Sequence, residues 1–428
     1  SVTGVCRPSL ARSVTGAYQP SLARSVPGIP LFANRRSLAR IPVWSVSAAR
    51  RIARTQAWAS VSVSVKKYQC LMAGGGEPTA AAAAPLPARG RWRACRMKAW
   101  VVRTTGEAWD VFEWGEAPEP SHEAMRGLTV DIVGLRPRAA EEPPCGSYVF
   151  VRVLAAALAT PDITMATGEY PVPIVRPYVS GQEAVGVVEE TSPDLADWMG
   201  KRVMGFTPQP FGSFAPRAVM FPPAFYEAPE GLGDEEAAAF VIPSHTAYHA
   251  VHRRGGVRAG ETVLVLGAAG GVPSAALQLC VAAGCRVIAV VGGPEKAAFC
   301  RDLGAHVVID HHQEPFDAAV RREVGPHSVN VIVDFVQGEP GRRARPLLAV
   351  EGRHVLAGHA GGLLAIHPNE FYLQNWTLVG VCMGAGYGAE GMRVEEEAHA
   401  AVLRLVEAGA YRPTVTRVVS LEEVPGAL

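Results

Sequence analysis

The residues best suited to chemistry in this chain are small rather than titratable. Gly267, Ala268, Ala269, Gly270, Gly271 and Val272 join the apolar run Val263 to Leu266 to a helix start at Pro273 and Ser274. Such a turn offers backbone N–H groups and the positive end of a helix dipole to an anion, so it reads as a phosphate cradle. Pro273 takes the place of the last glycine of the usual fingerprint, and it suits a first helical turn because it has no N–H to satisfy. A second apolar run, Arg286 to Val291, follows the helix and completes a βαβ unit. A ligand-free turn could carry the same glycines, but this context favours a dinucleotide. NAD sites usually close the second strand with Asp or Glu on the ribose hydroxyls. Gly292, Gly293 and Pro294 stand there instead, and Lys296 comes just after. A missing carboxylate and a nearby ammonium select a 2′-phosphate, hence NADPH. A solvated surface lysine is the alternative.

Other groups point elsewhere. His245, His249 and His252 are spaced to share a helix face, either as a metal site or, the favoured reading, as a helix surface. The eight cysteines contain no Cys-x-x-Cys pair, so neither a zinc ribbon nor a redox dithiol is indicated, and a reducing compartment fits. Residues 1–76 hold eleven Lys or Arg and no acid, leaving 30 basic and 40 acidic residues in 77–428, a net of −10. That body gives no electrostatic case for nucleic acid. No apolar run reaches the ~20 residues of a membrane span. Ser1–Arg12 and Ser13–Arg24 are near-identical units, and 77–90 is an Ala/Pro tract. Residues 1–96 read as a disordered extension of non-native origin, a transit peptide or a basic arm.

The positioning elements follow from the patterning. Met97 to Arg103, Tyr148 to Leu154, Gly181 to Glu189, Gly200 to Gly205 and Gly212 to Met220 are strand-like, with Gly/Pro turns between them. Pro118 to Pro144 reads as a surface excursion and Pro161-Asp162 as a loop. Asp234 is the expected N-cap of one helix, and another is expected from His245. Val307 to Asp310, Val329 to Phe335, His354 to Ala357 and Leu378 to Val381 extend a doubly wound parallel sheet. Val394 to Ala408 is an amphipathic helix with Glu395, Glu396 and Glu397 outward.

Met97-Lys98-Ala99, Gly181-Gln182-Glu183-Ala184-Val185-Gly186, Gly200-Lys201-Arg202-Val203, Thr246-Ala247-Tyr248 and the 267–272 turn occur in this order. Together they resemble the medium-chain dehydrogenase/reductase superfamily, in its zinc-free quinone oxidoreductase branch. The resemblance implies a GroES-like β-barrel domain (97–228, rejoined by 384–428) and a Rossmann domain (229–383), with the site in the cleft between them. It also implies a cofactor-facing Thr246, His311 near the adenosine phosphate, and Gly358 and Val381 flanking the nicotinamide. Zinc-dependent members have Gly-His-Glu where this chain has Gly181-Gln182-Glu183, and Ala155 to Asp162 lacks their cysteine, so no metal is expected. Thr164 stands where many relatives have a tyrosine. Tyr170 is the nearest phenol, and no catalytic residue is assigned. The last strand, 378–381, often pairs across a dimer in relatives, which leaves a homodimer open. Relatives continue past residue 428, so a truncated or fragmentary chain is expected. The expected activity is hydride transfer from NADPH to a quinone or α,β-unsaturated carbonyl, whose conjugation spreads charge without a Lewis acid. The alternatives are an idle NADPH-binding member with a structural or nucleic-acid-binding role, and an enoyl reductase of a lipid or polyketide pathway. A cytoplasmic location is expected, or a mitochondrial one if 1–96 is a transit peptide.

Overall fold

The structure, a computed structural model, describes residues 60–64, 96–126, 130–131, 136–137, 146–170, 174–222, 224–383 and 390–427. All of them fall in the unit formed by residues 44–428. The twelve-residue repeats, the Ala/Pro tract and much of the 118–144 excursion lie outside the described residues.

Before Arg96 the described residues are Ser60–Ser64, which form a strand, β1, where composition predicts little regular structure. β2 (Arg96–Val102) pairs antiparallel with β3 (Phe112–Pro118). The short pair β4 (Val130–Asp131) and β5 (Arg136–Pro137) lies in the excursion. β6 (Val149–Leu158) is the long central strand of the larger sheet. β7 (Tyr178–Val179) pairs with β2, and β8 (Glu183–Thr191) with β6. β9 (Arg202–Phe206), β10 (Arg217–Met220) and β11 (Phe225–Glu227) follow. With β18 (Val415–Ser420) they complete a seven-stranded sheet of order β11-β9-β8-β6-β1-β18, in which β10 also pairs with β6. Its core holds Phe150, Phe214, Met204 and Met220, all fully buried.

The second sheet is parallel. β12 (Thr262–Leu266), β13 (Arg286–Val291), β14 (Val307–Asp310), β15 (Val329–Asp334), β16 (Leu348–Leu356) and β17 (Thr377–Gly380) stand in the order β14-β13-β12-β15-β16-β17. This is the Rossmann order, and its direction reverses between β12 and β15, where ligands of such sheets bind. The apolar run is explained by burial on both faces: Val263, Leu264, Val265 and Leu266 are at most 1% exposed.

Three local expectations change. Pro161-Asp162 opens a helix, Thr160–Thr167, rather than a loop. The proline lies in its first turn, and the Asp162 carboxylate accepts the Ala159 N–H at 3.0 Å. Gly233, not Asp234, caps the helix Asp234–Ala238, because the Glu236 carboxylate reaches back to the Gly233 N–H at 3.1 Å. The next helix starts at Val241 and ends at Tyr248, one turn earlier than expected.

Leu264 is fully buried in the central strand. Replacing it with Ala removes three carbons and leaves a cavity, so Leu264→Ala loses about 2–5 kcal/mol of stability in urea unfolding, with an unchanged slope.

Candidate functional site

The glycine turn adopts the geometry a phosphate cradle requires. Gly267 has φ +68°, and a Cβ there would lie 2.9 Å from Val336 Cγ2. The Ala268 N–H donates to Val290 O at 3.1 Å, tying the turn to the neighbouring strand. Gly270 is the N-cap of the helix Gly271–Ala282. The first amides of that helix, at Gly271 and Val272, therefore point out of its N-terminus at the switch point of the sheet. Ala268 and Ala269 are buried beneath. The residues fit a dinucleotide pyrophosphate.

At the end of β13 the chain turns at Gly292. A Cβ on Gly292 would come within 2.9 Å of both His311 Nε2 and His312 Nε2. The His311 N–H donates to Val291 O at 2.9 Å, bringing that histidine to the same turn. Lys296 lies in the first turn of the helix Pro294–Asp302 and is half-buried, which lowers its ammonium pKa. Burial lowers His311, and the charges of His312 and Lys296 add to that. Gly292, Lys296 and His311 are thus brought together. Two groups that the sequence reading missed join them. His312 rests against His311, with ring centroids 4.5 Å apart. Asp310 is a carboxylate beside the same turn, but it accepts the Gly293 and His312 N–H groups at 2.9 and 3.0 Å, and these bonds hold it below its usual range.

The other end of the crevice is built from loops after β16 and β17. Val381 N–H donates to Leu356 O, which places Val381 alongside the end of β16, two residues before Gly358. Gly358 O accepts Gln337 Nε2 at 2.6 Å, and a Cβ at Gly358 would lie 2.9 Å from Phe335 O. Thr246 Oγ1 faces Met383 Sδ at 3.8 Å across from the helix Val241–Tyr248.

The floor comes from the larger sheet. Asp162 is fully buried and accepts from Gly181 N–H at 3.1 Å and Ser180 Oγ at 3.4 Å, besides Ala159. Burial pushes its carboxyl up to about 7 against those bonds. Glu183 accepts the Ile242 N–H at 2.9 Å, and burial pushes it up as well. Tyr170 is pushed up chiefly by burial. The Thr164 hydroxyl is spent on Pro161 O, so it does not replace the phenol of relatives.

The histidines are not a helix surface. His245 and His249 are fully buried, and Glu395, expected outward, is 5% exposed. Glu395 accepts His245 Nδ1 at 2.7 Å and His249 Nε2 at 2.9 Å. His245 Nε2 meets His399 Nδ1 at 3.2 Å, and Tyr226 stacks on His399 at 3.6 Å. His252 has no part in this cluster. Among the described residues no group of three His, Cys, Asp or Glu is placed to hold a metal ion. The missed partners lie about 150 residues downstream on the helix Gly391–Glu407, beyond the reach of local spacing.

Burial pushes His399 down to about 3 and also lowers His245. Burial alone would raise Glu395, but the two histidine bonds hold it at about 2. A histidine depressed in the fold stays neutral while the unfolded chain takes up its proton. Stability is therefore lost as pH falls from about 6.5 toward about 3, and faster below about 4.5 as the unfolded glutamate also protonates. Asp162 and Glu183, raised by burial, gain stability on acidification and offset part of this loss. The expected result is therefore a difference between chains: His399→Phe loses less melting temperature than the wild type between pH 6.5 and about 3, measured by differential scanning fluorimetry across pH.

A family model described as the alcohol dehydrogenase GroES-like domain matches residues 146–216, and one described as zinc-binding dehydrogenase matches 271–404. Quinone oxidoreductase-like protein 2 of Bos taurus is 30% identical over 339 residues, covering 78% of this chain and 94% of that protein. Quinone oxidoreductase of Homo sapiens is 28% identical over 300 residues, covering 69% and 89%. Among solved structures, a probable oxidoreductase from Mycobacterium abscessus superposes with a TM-score of 0.65 at 30% identity, over 78% of this chain and 95% of that one. The quinone oxidoreductase of Thermus thermophilus, also solved with NADPH, gives 0.60 at 30% identity, over 77% and 94%. Read with the cradle and the Rossmann order, these likenesses make the chain an oxidoreductase of the medium-chain dehydrogenase/reductase family, in its quinone oxidoreductase-like branch.

Proposed function

We propose that this protein reduces a quinone or an α,β-unsaturated carbonyl with NADPH and without zinc. The observation that carries the choice of cofactor is the Gly292 turn. It has Lys296 and His311 beside it, and the Asp310 carboxylate there is bound to backbone amides. A 2′-phosphate there gains a cation, while the Gly293 and His312 amides already offset part of the Asp310 charge. The 267–272 amides hold the pyrophosphate. Thr246, Gly358 and Val381 line the nicotinamide end. NADPH, when bound, supplies the hydride. The protein orients the acceptor and excludes water, and Gln182 stands where zinc-dependent relatives have a histidine ligand. A conjugated acceptor suits this site because its own π system spreads the developing charge.

The same reading divides the chain at about 97–228 and 229–383, with 384–428 returning to the first part. Cys280, Cys285, Cys300 and Cys382 are free thiols, which supports a reducing compartment. No helix among the described residues is long and apolar enough to cross a membrane. A homodimer belongs to the proposal too. β17 is a sheet edge with Leu378 37% exposed, and the adjoining helix Pro368–Gln374 exposes Tyr372 and Leu373 at 64% and 68%. An apolar edge of this kind pairs or aggregates.

Two measurements test this reading. Lys296→Ala weakens NADPH binding about tenfold or more and leaves NADH binding nearly unchanged, by isothermal titration calorimetry. Equal losses for both cofactors would defeat the phosphate assignment. The wild-type chain sediments as a dimer, and Leu373→Lys with Leu378→Lys sediments as a monomer. A monomeric wild type removes the dimer from the proposal.

A further inference from the structure

Three buried side chains on the cleft floor make an unusual set of contacts. Gln182 Nε2 and Gln209 Nε2 both point at Met165 Sδ, at 2.7 and 2.9 Å. Gln182 is 2% exposed, Gln209 8%, and Met165 fully buried. A thioether is among the weakest acceptors a side chain offers. Among the described residues Gln209 Oε1 has no hydrogen-bond partner. The Gln209 carboxamide has left water for little in return, which a fold tolerates poorly.

The trio sits at the joint of the cleft. Met165 is on the helix that carries Asp162. Gln182 O accepts Thr207 N–H at 2.7 Å, and Thr207 Oγ1 donates to Gly181 O. The next residue, Glu183, caps the helix that carries Thr246. The two amides therefore lie between the floor and the nicotinamide wall. Methionine is unbranched and swings aside at little cost.

We propose that the Gln182 and Gln209 carboxamides bind the carbonyl oxygen of the acceptor, and that Met165 Sδ holds that place until the acceptor arrives. This rests on the reductase reading above. In the reaction a hydride, with its two electrons, forms a C–H bond on the acceptor and a π bond breaks. The displaced pair moves to the carbonyl oxygen, where the two N–H donors meet it, and water supplies the proton. Neutral amides stabilise this charge without giving up a proton, which matches an acceptor that delocalises it.

Carbonyl-labelled acetophenone, read by infrared difference spectroscopy on the full chain with and without NADP+, is the test. The bound C=O band is expected below its position in an aprotic solvent. The displacement shrinks in Gln182→Leu and again in Gln209→Leu, and survives in Met165→Ala. With NADPH and p-benzoquinone, each glutamine replacement lowers kcat/KM about tenfold, while the NADPH dissociation constant stays unchanged. If the leucine variants do not fold, Gln182→Met and Gln209→Met take their place. No binding of acetophenone, an undisplaced band, or a displacement that survives both replacements overturns the proposal. A displaced band without NADPH turnover keeps this inference and defeats the reductase reading, whereas turnover with an undisplaced band does the opposite.

Discussion

One buried carboxylate sets the relation between the two sheets. Glu183, 1% exposed at the start of β8, accepts the N–H of Ile242 at the beginning of the Val241–Tyr248 helix. Burial opposes its charge, and the Val241 and Ile242 amides favour it. Without that side chain the helix would bury its own open N–H groups with nothing to receive them. The same helix presents Thr246 to Met383, and Gln182 immediately precedes Glu183 ahead of β8. A single hydrogen-bonded contact thus positions the floor of the cleft against its far wall. Arg202 supports the joint from outside, bonding Asp234 and the carbonyls of Pro229 and Leu232.

The polar interior is concentrated around this joint. Surface ion pairs such as Arg322–Glu314 or Arg342–Glu339 join exposed groups in water and contribute little. The cluster of His245, His249, Glu395 and His399 is different, because its members are buried and depend on one another. Removing one leaves the rest unsatisfied in a low dielectric. It fastens the Gly391–Glu407 helix to the helix of Thr246, so the polarity of the interior and the geometry of the site are one problem.

What could be read from sequence followed the range of the interaction. The small-residue turn at Gly267–Val272, the strands on either side of it and the turn at Gly292 were legible as local structure, since each depends on neighbours a few residues away. Their order then implied the Rossmann sheet. His311 and Gly358 needed the family pattern, because β14 and β16 bring them in through pairing. The inward turn of Glu395 was not legible: in a run of three glutamates on an amphipathic helix, only contacts with His245 and His249 single it out. The roles of Asp162 and Glu183 were hidden for the same reason. Their partners at Gly181 and Ile242 are made by tertiary packing, and local propensity read Pro161-Asp162 as a loop although the fold makes it a helix.

β1 has a consequence for how the molecule is assembled. It pairs antiparallel with β6 and parallel with β18, so β18 joins the larger sheet only through a segment some 350 residues earlier in the chain. Contacts this distant in sequence form late, after the loop entropy between them has been overcome. During synthesis Ser60–Ser64 emerges some 350 residues before β18, so one edge of β1 stays unpaired while the chain between them is made. Closure of that sheet waits for β18, and the open edge of β1 is available to other strands until it arrives.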